Sequence, residues 1–511
     1  MTTRPARAHL TALFLLVATV PATAIGPGWF SEADALLAWK ASLANTSALS
    51  SWTRDAPVCN WTGVMCGHRN HVRWVRIEGC GLSGGLGTLD TAALTGLAVL
   101  NLKGNNLGGA IPANISQLRS LKLLDLSNNR FDGSIPSQLS DMHSLVSLRL
   151  RSNNLLGDIP RLLCSLLSVQ VLDLSDNRFT EIPAAQAGQT CSLWSLYLAG
   201  NNFIGAFPPV LNRCNLLATL DIGNNMFFGG IPPWIGSQVP SLRILSLRSN
   251  NFTGNIPPEL SQLSQLQLLD MANNSLAGSI PVAFGNLTSM KNPQGLSTLV
   301  VQEGEPTYND RINVMWKGQK LIFERTLWLL TGVDLSGNFL SGCIPEELTN
   351  LQGLQFLNLS RNHLSCGIPQ GIGSLNSLES LDLSSNDLWG EIPPSISILS
   401  GLSIFNVSHN HLSGKIPAGS QIQTLTDPSI YSDNSGLCGF PLVILCADTS
   451  LPPDGINGEG EDQWLYYCVI AGIIMGFWLW FAMLFTVQTW RCGFYFFVDD
   501  VQCKFMQKMS H

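Results

Sequence analysis

Leu124-Asp125-Leu126-Ser127-Asn128-Asn129-Arg130-Phe131-Asp132-Gly133-Ser134-Ile135-Pro136 reads L-x-L-x-x-N-x-φ-x-G-x-I-P, where φ is apolar. Its asparagine, Asn129, recurs as Asn105, Asn153, Asn177, Asn201, Asn225, Asn250, Asn274, Asn338, Asn362, Asn386 and Asn410, with Cys80 in the same place one unit earlier. These positions define thirteen repeats, stepped by 24 or 25 residues except for a single step of 64. Self-similarity at such a fixed period is the signature of a solenoid, in which each unit buries its apolar side only against its neighbours.

The parts of the motif have separate physical tasks. The L-x-L alternation predicts a short strand with leucines inward and the residues between them outward, so that stacked units form one parallel sheet on the concave side. The asparagine turns inward, where its amide is expected to hydrogen-bond the turn backbone of its own and the next repeat. A buried backbone group left unpaired there would cost about 1–3 kcal/mol. The glycine suits a tight backbone path. Ile-Pro sends an apolar side chain inward and fixes φ on the way to the convex side. The unit of Asn177 has lost the glycine (Arg178-Phe179-Thr180-Glu181-Ile182-Pro183). The fold class expected is an α/β-type solenoid of the plant leucine-rich-repeat type, a superhelix with a parallel concave sheet, together with one transmembrane helix.

That helix is expected at 465–487, 23 residues without a charge. At 1.5 Å per residue this is about 34 Å, enough to cross a hydrocarbon core. Acidic residues precede it and Arg491, Lys504 and Lys508 follow, which orients the C-terminus to the cytoplasm. At the other end Arg4 and Arg7, an apolar run and Ala22-Thr23-Ala24 predict a secretory signal peptide over 1–24. The expected place of the protein is therefore the plasma membrane, single-pass, with an extracellular ectodomain. The net charge of −7 argues against a nucleic-acid partner. No cofactor is expected.

Between these ends the divisions expected are an N-terminal cap over 25–73, repeats one to nine over 74–287, an island insertion over 288–330, repeats ten to thirteen over 331–418, a C-terminal cap over 419–449, an acidic linker over 450–464 and a cytoplasmic tail over 488–511. In the island Ile312, Val314 and Trp316 alternate before a turn at Lys317-Gly318-Gln319-Lys320 and an apolar Leu321-Ile322-Phe323, which reads as a β-hairpin or short sheet. Ten of the thirteen cysteines precede the span, in a compartment where pairing is expected. Cys59 with Cys66 and Cys438 with Cys446 read as cap disulfides, against the alternative of free buried thiols. Cys191 and Cys214 lie at nearly equivalent places on adjacent repeats and admit a third pair. Cys80, Cys164, Cys343 and Cys366 have no pairing legible in the sequence. Eight Asn-x-Ser/Thr triplets offer glycosylation sites at Asn45, Asn60, Asn114, Asn251, Asn273, Asn286, Asn358 and Asn406.

The whole layout resembles the plant leucine-rich-repeat receptor-like proteins, which are single-pass, lack a kinase and carry an island. The stretches that carry the resemblance are Val314-Met315-Trp316-Lys317-Gly318 in the island, Leu357-Asn358-Leu359-Ser360-Arg361-Asn362-His363-Leu364-Ser365 after it, and Trp490-Arg491 with Phe494-Tyr495-Phe496 near the end. The resemblance implies perception of an extracellular peptide or a pathogen-derived elicitor in defence or development. Signalling would pass through an adaptor receptor kinase and a co-receptor kinase. Two features depart from the family. Thirteen repeats are fewer than the immune members usually carry, and Cys366 replaces the motif glycine in Ser365-Cys366-Gly367-Ile368-Pro369.

Binding, and not catalysis, is the expected activity. His409-Asn410-His411 resembles a metal pair, but Asn410 is the repeat asparagine. Asp125, Asp173, Asp221, Asp270, Asp334 and Asp382 form an outward column better read as repeat consensus, locally hydrogen-bonded or solvated, than as a cation site. The 24 residues after Val487 are far fewer than the roughly 250 of a kinase domain. Candidate ligand contacts on the concave face are Arg149 and Arg151, two apart on one strand, with Tyr197 and Arg248. Paired arginines on a repeat strand resemble those by which peptide-hormone receptor kinases hold a terminal carboxylate, and a guanidinium fork suits that group. The alternative is that Arg149 bridges Asp125 and Asp173 on its neighbours. Asn358 and Asn406 share an outward column, so glycans there would direct ligand to the face before the island and co-receptor to the flank after it. Within the span Gly472 and Gly476 form a small-x-x-x-small pattern suited to packing against another helix. A second function class is a membrane-tethered inhibitor of extracellular cell-wall-degrading enzymes; the island and the span weigh against it.

Overall fold

In the computed structural model the described residues are 31–67, 70–159, 168–182, 191–291, 312–316, 319–323, 330–419, 421–446 and 475. The chain divides into two units, Met1–Cys446 and Ala447–His511. The expected signal peptide, acidic linker, membrane span with Gly472 and Gly476, and tail lie outside the described residues, apart from Met475, which is helical. Among the described residues no helix is long and apolar enough to cross a membrane.

The first unit is a solenoid. Its concave sheet has fourteen strands in chain order. Thirteen are parallel, one for each repeat, from Val72–Arg76 to Ile404–Asn406. The fourteenth, Val64–Cys66, runs antiparallel on the N-terminal edge. Adjacent strands pair with their central residues in line, as Leu124 with Leu148 and Leu148 with Leu172. Those central residues are buried at every step. Among the described residues a short helical turn crosses the convex side after an Ile-Pro, 3₁₀ at Ser137–Asp141 and Pro258–Gln262 and α at Trp234–Gln238.

The repeat asparagine is the common fastener. Asn129 donates from Nδ2 to the carbonyls of Leu102 and Leu126 at 2.9 and 3.0 Å, and its Oδ1 accepts from the amide of Leu107 at 3.0 Å. The amide thus joins its own repeat to the preceding one, not to the next as the sequence had suggested. The ladder passes the island without a gap. Leu268–Asp270 pairs directly with Gly332–Asp334, and Asn338 donates to Met271 across 67 residues of sequence at 3.0 Å. The island is therefore an excursion from an unbroken stack. Its described part is an antiparallel hairpin of Ile312–Trp316 with Gln319–Phe323. Gln319 and Lys320 belong to the second strand, where the sequence had placed them in the turn.

A second set of short strands lines the flank, where the motif glycine takes a positive φ, +74° at Gly133 and +81° at Gly229. Among the described residues this flank sheet is interrupted twice, between Arg178–Glu181 and Ile204–Gly205 and between His363–Ser365 and Trp389–Gly390. Each interruption follows a repeat without the glycine. The first is the shortened unit of Asn177; in the second Cys366 holds φ at +71°, a region a side chain enters at a cost of about 1–2 kcal/mol.

Both ends are closed. At the N-terminus the helix Glu32–Ser42 is capped by Ser31, whose hydroxyl accepts from the amide of Asp34. Trp39, Trp52 and Trp61 are buried against one another, with ring centroids 6.2 and 5.3 Å apart. Each indole donates to a backbone carbonyl, of Gly85, Thr62 and Ala56. Among the described residues four disulfides join Cys59–Cys66, Cys191–Cys214, Cys343–Cys366 and Cys438–Cys446. Among the described residues Cys80 is a free thiol. The C-terminal cap contains a fourteenth rung that the sequence count had stopped short of. Asn434, 24 residues after Asn410, donates to Val407 and Tyr431 at 2.9 and 3.1 Å and accepts from Leu412 at 3.0 Å.

That rung makes the cap testable. Asn434→Ala removes the side-chain partner of the Tyr431 carbonyl and of the Leu412 amide, leaves the Val407 carbonyl with Asn410 alone, and is expected to destabilise the C-terminal end by about 2–3 kcal/mol. Hydrogen exchange at the Leu412 amide reads the effect locally. Exchange there as slow as in the parent chain would show that the cap does not hang on Asn434.

Candidate ligand-binding face

The concave face is built from two outward columns flanking each buried central leucine. The second column holds Asp125, Asp173, Asp221, Asp270, Asp334 and Asp382. In every case Oδ1 accepts from the amide two residues on, at 3.0–3.1 Å. This is a side-chain-closed turn, the local arrangement that Asp and Asn favour. Asn101, Asn358 and Asn406 close the same turn in their repeats. The column therefore ends each strand and steers the chain toward the ladder asparagine. In the turn that follows, the residue just before that asparagine takes a positive φ, as Asn128, Ser152, Asp176, Asn273, Arg361 and His409 do. The reading of this column as repeat consensus with local hydrogen bonds agrees with these turns, and Asp-x-Ser and Asn-x-Ser at the strand ends carry the signal.

The carboxylates are buried as well as bonded. Asp173, Asp221, Asp270 and Asp334 are each no more than 7% exposed. Burial pushes the carboxyls of Asp173, Asp221 and Asp334 up from the usual range. Asp270 rises to about 7, through burial and the like charge of Asp334 on the next strand, against the opposing pull of Arg248.

The four residues singled out as ligand contacts are drawn into this framework. Arg149 reaches Asp125 at 3.6 Å and its side chain is 20% exposed. Arg151 pairs with Asp176 at 2.7 Å, in the turn of the next repeat. The two guanidinium groups thus address different carboxylates and do not form an outward fork. Arg248 lies 2.5 Å from Asp270. Tyr197 is 2% exposed and offers almost no surface. The reason is geometric: strands about 4.8 Å apart bring outward side chains into mutual contact, so alternation alone does not expose them. His409 lies 3.0 Å from Asp433, whereas Asn410 stays in the ladder.

An open cavity of about 680 Å³ lies on this face, after the island. Repeats eleven to thirteen form its floor, with Phe356, Ile404 and Phe405, and the capping segment at Thr424, Leu425 and Asp427 forms a wall. Phe356 reaches its place because repeat ten has glycine beside it: a Cβ on Gly332 would overlap the Phe356 ring. Arg361 and Asp382 add charge of both signs. Asn358 and Asn406 line the same cavity, and since each Oδ1 is held by the serine two residues on, the amide nitrogens are the atoms free of that bond. Of the other acceptor asparagines, Asn45, Asn60, Asn251, Asn273 and Asn286 are exposed and Asn114 is half-buried.

The raised carboxyls give the solenoid a pH dependence of definite sign. Between the unfolded value near 3.9 and the folded value near 7, the folded chain holds the Asp270 proton that the unfolded chain has lost. Stability is therefore greatest at the acid end and falls as pH rises through 7, by at most about 1.4 kcal/mol per pH unit for one proton. The thermal midpoint is expected to be higher at pH 5 than at pH 8, and Asp270→Asn should flatten that slope. A midpoint that climbs toward pH 8 would contradict the burial argument.

Comparison with known proteins agrees with this architecture. The leucine-rich-repeat N-terminal domain matches residues 31–67. Leucine-rich-repeat models match 95–155, 143–203 and 329–388, and again 216–238, 241–263 and 265–287. Together these matches take in more than half of the chain. The LRR receptor-like serine/threonine-protein kinase RGI3 of Arabidopsis thaliana is 38% identical over 86 residues, 16% of this chain and 8% of that protein. The chain thus spans only a small part of the length of such curated relatives. The PEPR1-AtPEP1 crystal structure superposes with a TM-score of 0.54 at 27% identity, covering 80% of this chain and 58% of that one. The LRR ectodomain of the membrane receptor kinase GASSHO1/SCHENGEN3 from Arabidopsis thaliana gives a TM-score of 0.44 at 28% identity, covering 71% and 47%. With its N-terminal domain, its asparagine ladder and these relatives, the chain belongs to the leucine-rich-repeat family that includes the plant receptor-like proteins and receptor kinases.

Proposed function

We propose that the chain is the ligand-binding subunit of a cell-surface receptor, anchored by the segment 465–487, that takes an extracellular peptide or elicitor fragment and acts without catalysis of its own. The observation that carries the reading is the cavity at the C-terminal end of the concave face. Elsewhere on that face the arginines singled out above are engaged with carboxylates; here the partly exposed Ile404, hydroxyls and charges of both signs stand together over the buried rings of Phe356 and Phe405. Convergent polar groups over an apolar floor are what a small-molecule or peptide-end pocket requires. A chain lying along the sheet has about 60 Å to follow, the length of roughly 18 extended residues. Its end would sit over Ile404, which is 37% exposed.

Ile404→Arg fills that floor with charge while leaving the buried Phe405 core in place. Full-length protein, parent and variant, would be exposed to peptides of the extracellular wash and the bound fraction sequenced by mass spectrometry. Peptides enriched by the parent are expected to fall at least about tenfold in the variant, about 1.4 kcal/mol or more. Equal recovery by both proteins would place the ligand elsewhere.

Signalling in this reading passes sideways to partner kinases, an adaptor and a co-receptor. The pair Gly472 and Gly476 would let a second helix approach closely within the bilayer. Gly472→Leu with Gly476→Leu should abolish kinase co-purification while peptide capture persists. Undiminished co-purification would put the contact in the ectodomain.

A further inference from the structure

We propose that the N-linked sugar carried by Asn251 packs over an apolar patch on the flank of repeats six to eight, so that this patch is a carbohydrate seat built into the solenoid. Ile204, Met226 and Phe228 are large apolar residues 59, 48 and 47% exposed. They are contiguous because the flank strands align them. Ile204 stands opposite Met226 on the neighbouring strand, Met226 and Phe228 share one face of Met226–Gly229, and Phe228 stands opposite Asn251 on Asn251–Asn255.

The alternation that turns these residues outward is firmly set from below. Phe203, Phe227 and Phe252 are buried beneath the three strands and stack in series, with centroids 6.0 and 6.2 Å apart and planes within 13°. Neither Phe228 nor Asn251 can turn inward without displacing that column. Asn251-Phe252-Thr253 is an acceptor triplet. Among the eight such asparagines, Asn251 is the one placed on a described flank strand. It is exposed, and its strand neighbour is an exposed aromatic ring.

Parallel strands lie about 4.8 Å apart. A ring linked through Nδ2 of Asn251 therefore begins within van der Waals reach of the Phe228 ring. N-acetylglucosamine has a face of C–H groups, and an aromatic face is the negative end of a quadrupole that favours such contact. The next sugar of the core extends over Met226. Covering apolar surface in this way removes it from water, the usual source of stabilisation when such groups are buried. The patch is thus completed by a modification of the chain itself. A second copy of the chain or a protein partner would instead have to displace the sugar.

The proposal rests on passage of the chain through the secretory route, and the test separates the two. Full-length protein from plant cells is treated with dilute hydrogen peroxide, and sulfoxide formation at Met226 is followed by peptide mass spectrometry. Met65, 54% exposed in the N-terminal cap, serves as reference. Glycopeptides of the same digest report occupancy at every acceptor. The expected result is an occupied Asn251, Met226 oxidised several-fold more slowly than Met65, and the two rates becoming equal in Asn251→Gln. In Phe228→Ser the protection should shrink although the site stays occupied. Three outcomes overturn the proposal: Asn251 bare while other acceptors carry sugar, Met226 as reactive as Met65 beside an occupied Asn251, or protection that persists in Asn251→Gln. Protection persisting and falling on dilution would assign the patch to a second copy. Sugar at none of the eight acceptors would overturn the secretory reading along with it.

Discussion

One buried side-chain amide per repeat sets the terms for the whole solenoid. A repeat of 24 residues turns its backbone so sharply after the strand that several amides and carbonyls lose any strand partner, and all of them point into the core. The ladder asparagine satisfies them with one group: two donor hydrogens for a carbonyl on its own turn and one on the preceding turn, and an oxygen for the preceding repeat's amide. No other side chain of that size offers two donors and an acceptor together. Because each bond set spans two repeats, the stack is cooperative along its length. The first and last units must be completed by something else: tryptophans and a disulfide at one end, an additional asparagine and a disulfide at the other.

This strictness explains what could be read in advance. Strand count, strand positions and the break for the island followed from the spacing of one residue type, because that spacing is a packing requirement and not a preference. The last rung was overlooked although Asn434 keeps the period of 24, since the leucines around it have thinned out. The pairing of Cys343 with Cys366 was equally within reach: it repeats the separation of 23 that had suggested Cys191 with Cys214.

The binding face was much less legible. Period-two alternation states which way a side chain leaves the strand, but not how much of Arg149, Arg151, Tyr197 or Arg248 meets solvent once its neighbours are in place. On a face of closely spaced parallel strands Tyr197 is buried, while the three arginines keep part of their side-chain surface in solvent, 20% for Arg149 and 13% for Arg151 and Arg248. Each outward group lies against those one strand before and one strand after, and oppositely charged groups settle into pairs such as Arg248 with Asp270. Burial there depends on side-chain size in three repeats at once, which no single motif encodes. The open cavity arises for a reason equally remote from the motif. Gly332 lets Phe356 lie flat over its neighbour, and the capping segment folds back as a wall.

The flank shows how the same framework tolerates irregularity. A glycine with positive φ keeps neighbouring flank strands in line, and where it is missing the hydrogen-bonded sheet stops: after the unit of Asn177, and after Cys366. In each region a disulfide ties neighbouring repeats within one repeat of the interruption, Cys191–Cys214 beside the first and Cys343–Cys366 beside the second. Closing a loop of that size removes roughly 3 kcal/mol of chain entropy from the unfolded state. This is comparable to the few backbone hydrogen bonds that an interrupted ladder gives up, at about 1 kcal/mol each. The concave sheet and the asparagine ladder run through both places unbroken. The flank can therefore vary in sequence or lose a strand while the inner sheet, on which the open cavity depends, keeps its register.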